Sequence, residues 1–169
     1  MLSVEGMYFI TPKSKVIADA LEAWSWIGIA GKQPVLITAF ADVFFESSDG
    51  FWFLDTLEGK LKRICQTKDE LDRILATEEG KDLYLLSGFV DRAVRESMIL
   101  KEDECYDFKI NPIVGGTVDY SNVGKMSFLV ALHLRGQLHD QVRHMKPGTK
   151  ISKFVLVEEK GPKPWWKLW

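Results

Sequence analysis

The feature that most constrains the fold is a run of β-branched and aromatic segments separated by turn sequences. Residues of these types are favoured in strands. Ser-Ser-Asp-Gly at 47–50 and Leu-Glu-Gly at 57–59 are typical turn sequences between such strands. The predicted strands lie at residues 35–40, 42–46, 51–55 and 60–65. Because the connections are this short, we predict an antiparallel β-meander.

The rest of the chain has mostly helical patterns. Apolar residues recur with a 3.6-residue period over residues 16–27, which predicts a helix that begins near Pro12. Thr67 stands three residues before Glu70 and predicts a capping box at the start of a short helix. Longer helices are predicted over residues 81–97 and from Leu132 to about Met145, where apolar residues recur with helical spacing.

Strands followed by helices favour an α+β fold over a regularly alternating parallel α/β fold. We therefore predict an antiparallel β-meander packed with several helices in a single globular domain. Residues 103–120 are predicted to form a long connection, and residues 125–130 and 151–157 two further strands. Long connections in compact domains are often functional.

The two cysteines, Cys65 and Cys105, lie far apart and outside any C-x-x-C pair. The first ten residues lack a basic region followed by an apolar core, so we expect no signal peptide. Isolated cysteines without an export signal indicate reduced thiols and a cytoplasmic protein, in which they serve as small buried apolar residues.

The net charge of −2 hides an uneven distribution along the chain. Residues 1–41 are neutral, residues 42–119 carry −8, and residues 120–169 carry +6. No apolar run reaches the roughly 18–20 residues that a membrane helix needs, so no membrane partner is expected. The acidic segment would repel nucleic-acid phosphates, so we expect no nucleic-acid partner for the chain as a whole.

Motifs for catalysis are absent from the sequence. It contains no phosphate-binding loop, no Gly-x-Ser-x-Gly and no His-Glu-x-x-His. The three histidines, His133, His139 and His144, are spaced by six and five residues, whereas metal ligands on one helix face need gaps of three or four. We interpret them as exposed or hydrogen-bonded polar residues, and expect neither a cofactor nor a metal site.

Six short segments, taken in order, resemble one known bacterial family. They are residues 39–45, 53–61, 105–108 with 112–116, Asn122, 136–141 and 147–151. The set is similar to the C-terminal domain of the immunity proteins that are paired with DNase toxins of type VI secretion, formerly a domain of unknown function. It spans about residues 40–151. The family often has glycine where Ala41 stands, and Leu-Gly-Gly where this chain has Val114-Gly115-Gly116.

The resemblance implies a non-enzymatic binding protein that neutralises a nuclease-type toxin by direct contact. A nuclease carries basic residues that hold phosphates, so an acidic inhibitor surface would complement it. Gly115 and Gly116 would allow a positive φ or the close approach of another chain. The remaining candidate contacts are the acidic residues Asp42, Glu46, Asp49, Asp55, Glu58, Glu102, Asp103, Glu104 and Asp107.

We divide the chain into an N-terminal helix and edge segment (1–38), an immunity-like α+β domain (39–157) that forms one globular unit with it, and a Trp-rich tail (158–169). The tail could anchor at a membrane interface or dock into a groove. One alternative function is a small hydrolase or metal-binding enzyme that uses the His133–His144 region with residues 102–107. The other is a nucleic-acid binder that uses residues 120–169, where Trp165, Trp166 and Trp169 could stack on bases.

Overall fold

The predicted meander forms most of a five-stranded antiparallel sheet in the computed structural model, which describes residues 4–151 and 153–155. The strand order follows the chain, β1-β2-β3-β4-β5. A second, two-stranded antiparallel sheet is formed by β6 and β7. The strands are β1 (Phe9–Ile10), β2 (Gln33–Thr38), β3 (Val43–Ser47), β4 (Gly50–Asp55), β5 (Lys60–Cys65), β6 (Glu104–Phe108) and β7 (Val123–Ser127).

Helices account for most of the remaining regular structure, which confirms the α+β prediction. Single 3₁₀ turns occur at Val4–Met7, Pro112–Val114 and Tyr120–Asn122, and a longer 3₁₀ helix occurs at Glu22–Ile27. The α-helices are α1 (Ser14–Leu21), α2 (Lys68–Ala76), α3 (Glu78–Leu85), α4 (Ser87–Arg95) and α5 (Phe128–Val142). No helix within the described residues is long and apolar enough to cross a membrane.

The central strands of the larger sheet are buried on both faces. Successive side chains of a strand point to opposite faces of the sheet, and each face packs against its own apolar cluster. In β3, Val43 and Phe45 belong to the first cluster, and Phe44, which lies between them, belongs to the second. The first cluster contains Trp24 and the apolar face of α5, and the second contains Leu71, Leu85 and Val90 from the helices α2 to α4. The sheet is therefore the middle layer between two groups of helices.

Several predicted element boundaries were wrong. The predicted helix 81–97 is two helices, because Leu86 adopts a left-handed conformation (φ 49°) between α3 and α4. The first helix changes to 3₁₀ geometry after Leu21. The capping box of α2 is confirmed: the Thr67 side chain accepts from the Glu70 N–H, and the Glu70 carboxylate accepts from the Thr67 N–H.

The segment predicted as a long connection contains β6, whose strand character is set by its pairing with β7. The closest register pair, Phe108 and Val123, is 15 residues apart in the sequence. The predicted strand 125–130 ends at Ser127, and Phe128 begins α5. Residues 151 and 153–155 are not in a strand, and the rest of that predicted strand and the tail 158–169 lie outside the described residues. The proposed boundary after residue 38 falls at the end of β2.

Ala41 occupies the position at which the resembling family often has glycine. It lies in the tight connection between β2 and β3 with φ 65°, a left-handed conformation that glycine adopts without a steric penalty. Its side chain is fully buried. The left-handed conformation that this turn requires is a physical reason for the glycine that the resembling family often has at this position.

Helix α5 closely approaches the 3₁₀ helix Glu22–Ile27 at Gly136, where an added Cβ would lie 2.7 Å from the backbone oxygen of Ala23. Overpacking against backbone typically costs 1–3 kcal/mol. We therefore expect Gly136→Ala to lower the free energy of unfolding by about 2 kcal/mol in urea denaturation. The matched control is Gly88→Ala in α4, where nothing lies within 4 Å of the added Cβ. It should be neutral or stabilising by up to about 1 kcal/mol, and equal effects of the two substitutions would contradict the close approach.

Candidate protein-binding surface

A buried hydrogen-bond network around Arg135 joins both sheets to α5. Arg135 Nη1 donates to the backbone oxygen of Phe40 (2.6 Å) and to Oγ1 of Thr56 (2.5 Å), and Nη2 donates to Oδ1 of Asp107 (2.7 Å). The Thr56 hydroxyl in turn donates to Oδ1 of Asp42 (2.7 Å). Arg135 is 3% exposed and both carboxylates are below 7%, so the whole network is shielded from water.

The charges of this network do not balance if both carboxylates are ionised. Arg135 bonds Asp107 directly but reaches Asp42 only through Thr56. Desolvation by burial raises the pKa of Asp42 to about 7, despite the opposing effects of Arg135 and of the hydrogen bonds from Thr56. The Asp107 carboxylate, the direct partner of the guanidinium, is therefore the counterion of Arg135, and Asp42 is the carboxyl that takes up a proton near neutral pH.

His139 lies one helical turn after Arg135 on the same face of α5. Its Nε2 is 3.0 Å from the backbone oxygen of Thr56, which can only accept, so Nε2 carries the proton. Burial lowers the pKa of His139. Gly59 (φ 65°) lies directly against the imidazole, where an added Cβ would be 2.3 Å from Nδ1. The prediction of a hydrogen-bonded polar histidine is confirmed for His139.

The segments that carry the family resemblance meet at this network. Four separate motifs of the sequence supply Asp42, Thr56 with Gly59, Asp107 and His139, and Arg135 directly precedes the last of these motifs. Their shared position is the interior of the protein. Asp42 and Asp107, predicted as candidate contacts, are buried, and so neither presents a carboxylate to a partner.

Other predicted acidic contacts are used within the fold. Asp55 caps the turn after β4 by accepting from the N–H groups of Leu57 and Glu58, and Asp49 accepts from the Trp52 indole. Glu58 pairs with Lys60, and Glu104 with Lys125. The hydrogen bonds of Asp49 and Glu104 lower the pKa of each carboxyl.

Three of the predicted carboxylates remain available on the surface. Glu46 and Asp103 are exposed and have no hydrogen bond or ion pair from their side chains within the described part of the chain. Glu102 has a single long contact of 4.0 Å with Lys13. The acidic segment 42–119 is also bridged to the basic C-terminal segment by the pairs Glu104–Lys125 and Asp107–Arg135. The exposed acidic surface is thus smaller than the sequence charge of the segment indicates.

The loop 110–118, which connects β6 to the turn before β7, is held by the side chain of Asn122. Asn122 Nδ2 donates to the backbone oxygens of Ile110 and Thr117 (both 2.8 Å), and its Oδ1 accepts from the Ile110 N–H (3.0 Å). Gly116 lies against Ile110, where an added Cβ would be 1.7 Å from the backbone oxygen. The Asn122 clamp and Gly116 therefore fix the shape of the loop.

Three aliphatic side chains project from this clamped loop into solvent. Ile110 is 59% exposed, Val114 44% and Val118 53%. Gly115 has a positive φ (98°) with open space around it, and so it serves the turn of the loop. A contiguous apolar patch on a surface can mark a protein-binding site, and a loop whose shape is already fixed loses less conformational entropy on binding. The clamped loop is therefore the candidate binding surface, and Gly115 and Gly116 are its predicted members.

The sequence analysis did not identify Arg135, Thr56 or the aliphatic residues of the loop. The sequence feature nearest to a signal for Arg135 is its spacing of four residues from His139, which places both side chains on one helix face. The features proposed for an alternative enzyme are dispersed: His133 bonds Gln137, His139 is in the buried network, and His144 is exposed. Within residues 4–151 and 153–155, no group of three His, Cys, Asp or Glu side chains could hold a metal ion. Cys65 and Cys105 are both buried and free.

Residues 66–139 match the family described as T6SS immunity protein Tdi1, C-terminal. The resemblance found in the sequence motifs is confirmed over this segment, which contains the clamped loop, Arg135 and His139. No curated protein matches the chain.

One solved structure with a similar arrangement is the crystal structure of Atu4351 from Agrobacterium tumefaciens, at 14% sequence identity and a TM-score of 0.48. The similar region covers 76% of this chain and 65% of Atu4351, so this chain spans less than two thirds of that neighbour.

Loss of the guanidinium would leave the buried Asp107 carboxylate without its counterion. Breaking a buried pair in this way typically costs 3–5 kcal/mol. We expect Arg135→Met to lower the free energy of unfolding by about 4 kcal/mol in urea denaturation at pH 7. The control is Arg95→Met on the exposed face of α4, which should change stability by less than about 0.5 kcal/mol. A loss below about 1 kcal/mol for Arg135→Met would contradict the role of the network.

The raised pKa of Asp42 makes stability depend on pH. The folded state holds this proton up to a pH of about 7, whereas the unfolded chain releases it near 4. The unfolding free energy of the native protein should therefore fall, relative to that of Asp42→Asn, by ~3 kcal/mol between pH 5 and pH 8. Urea denaturation of both proteins at the two pH values measures this difference. Parallel pH profiles of the two proteins would show that Asp42 is ionised throughout.

Proposed function

We propose that this chain is a cytoplasmic, non-enzymatic immunity protein that neutralises a nuclease-type toxin of type VI secretion by direct protein–protein contact. The observation that carries the proposal is the clamped loop 110–118, which lies inside the segment that matches the immunity-protein family and displays Ile110, Val114 and Val118 to solvent. The family match supports the immunity role, and the clamped loop offers a surface suited to binding another protein.

The clamped loop is suited to tight binding for an energetic reason. Ordering a flexible loop on binding costs free energy, and a loop that is already rigid avoids most of that cost. Asn122 and Gly116 hold the loop by contacts within the chain, without a partner. Its exposed aliphatic residues would bury apolar surface at about 25 cal/mol per Å² when covered. These residues are the proposed anchor of the complex.

The nuclease class of the toxin is supported by the carboxylates that remain exposed. Nucleases hold the phosphate backbone with lysine and arginine side chains. Glu46, Glu102 and Asp103 are exposed predicted contacts whose side chains accept no hydrogen bond from the described residues, and Glu102 has only the 4.0 Å contact with Lys13. Such groups accelerate association with a basic partner more than they tighten it.

The experiment uses the protein product of the gene adjacent to the gene for this chain. Calorimetry measures its binding to the purified chain, and a plasmid-cleavage assay measures its nuclease activity with and without an equimolar amount of the chain. We expect binding and loss of cleavage. A toxin that binds but cleaves no DNA would overturn the nuclease class, and an adjacent gene product that neither binds nor is inhibited would overturn the immunity function.

Substitution in the clamped loop tests the proposed anchor. Val114→Asp places a charge where the aliphatic side chain would be buried, and we expect the dissociation constant to rise at least ~30-fold, the size of a hot-spot loss. The matched control is Leu83→Asp in α3, an aliphatic side chain that is 64% exposed in a different part of the fold. It should change the constant less than about 3-fold. Equal effects at the two positions would show that the loop is not the anchor.

A further inference from the structure

A groove of about 440 Å³ lies between β1 and the segment that leads into β6. Its floor and walls are largely apolar. The apolar residues include Met7, Phe9, Ile10, Val94, Ile99 and Leu100, and the acidic residues Glu102, Asp103 and Glu104 line one side. An apolar groove with acidic groups at one side fits a chain segment that combines apolar and basic side chains.

One wall of the groove is the edge of the five-stranded sheet. β1 is the terminal strand and pairs with β2 on one side, and among the described residues no strand pairs with it on the other. An edge strand presents unpaired N–H and C=O groups that can pair with an incoming extended segment. Phe9, Ile10, Thr11 and Pro12 all border the groove. The edge therefore offers main-chain pairing in addition to apolar contact.

The opposite wall is held in place by backbone contacts. The Asp103 backbone oxygen accepts from the Phe128 N–H (2.8 Å), which ties the wall to the start of α5. The Glu104 carboxylate accepts from the Lys101 N–H and pairs with Lys125. This wall is thus rigid in the free protein, as a preformed binding groove requires.

The charges of this wall are unevenly compensated. Lys101 and Lys125 both act on Glu104 and lower the pKa of its carboxyl. Glu102 has the 4.0 Å contact with Lys13, with both side chains at least 75% exposed, and Asp103 has no side-chain partner among the described residues. An incoming cation can displace so weak and exposed a contact at little cost. Glu102 and Asp103 are thus the two acidic groups that remain available to a ligand.

We propose that this groove binds an extended, basic segment of the partner toxin, which adds to the sheet along β1. In this mode the main chain of the segment pairs with the edge strand, alternate apolar side chains enter the groove, and lysine or arginine side chains reach Glu102 and Asp103. The proposal rests on the proposed function above. It adds a second contact region at the far end of β6 from the clamped loop, and the two ends of that strand are about 14 Å apart at about 3.4 Å per residue step.

The test compares charge reversals in the complex with the product of the adjacent gene. The double variant Glu102→Lys/Asp103→Lys should raise the dissociation constant at least ~30-fold. The control is Glu79→Lys, an exposed acidic residue of α3, which should raise it less than about 3-fold. Hydrogen exchange of the native complex should show slower exchange of the amides of residues 9–11, since Pro12 has no N–H. Urea denaturation of the variants checks that they remain folded.

The outcomes separate this inference from the proposed function. If the native chain does not bind the adjacent gene product, the proposed function fails. If the native chain binds but the double variant binds equally well, or if residues 9–11 exchange at the same rate in the complex as in the free chain, the groove proposal is overturned and the immunity function stands. Slower exchange of residues 9–11 in the chain alone with increasing concentration, together with a dimer mass by light scattering, would assign the groove to a second copy and also overturn the proposal.

Discussion

The guanidinium of Arg135 connects the parts of this protein that are distant in sequence. It bonds the connection after β2 through Phe40, the end of β4 through Thr56, and β6 through Asp107. A charged group this deeply buried is tolerated only when its hydrogen bonds and counterion are in place. The position of α5 relative to both sheets follows from this requirement. One turn further, His139 bonds Thr56 and lies against Gly59, which fixes the turn between β4 and β5.

This arrangement changes the interpretation of the motifs that carry the family resemblance. Most of them meet in the interior, where they hold the sheets and α5 together, and Asp42 and Asp107 belong to that interior. Asn122 and Gly116 have a different role, since they shape a loop whose aliphatic residues face solvent. The motifs that carry the resemblance therefore mainly hold the scaffold together, and the proposed contacts lie on surfaces that the scaffold displays.

Charge along the sequence is only a partial guide to charge on the surface. The acidic middle and the basic C-terminal segment meet in the pairs Glu104–Lys125 and Asp107–Arg135, and further acidic residues cap turns or pair within helices. Glu46, Glu102 and Asp103 remain exposed on the surface. The proposed interface combines few charges with a rigid apolar loop, so it would rely on buried apolar area for affinity and on charge for the rate of association.

The sequence by itself determined the α+β class, the meander and the capped start of α2, because turn residues, β-branched segments and the Thr67–Glu70 box act over a few neighbouring residues. It also supplied the family resemblance. The tertiary structure decided which polar residues are interior. Arg135 meets Asp107 across 28 residues and Thr56 across 79, and the break at Leu86 and the pairing of β6 with β7 also depend on packing. Contacts between residues so far apart leave no periodic signal in the sequence, and therefore neither the buried network nor the exposed loop could be located before the fold was known.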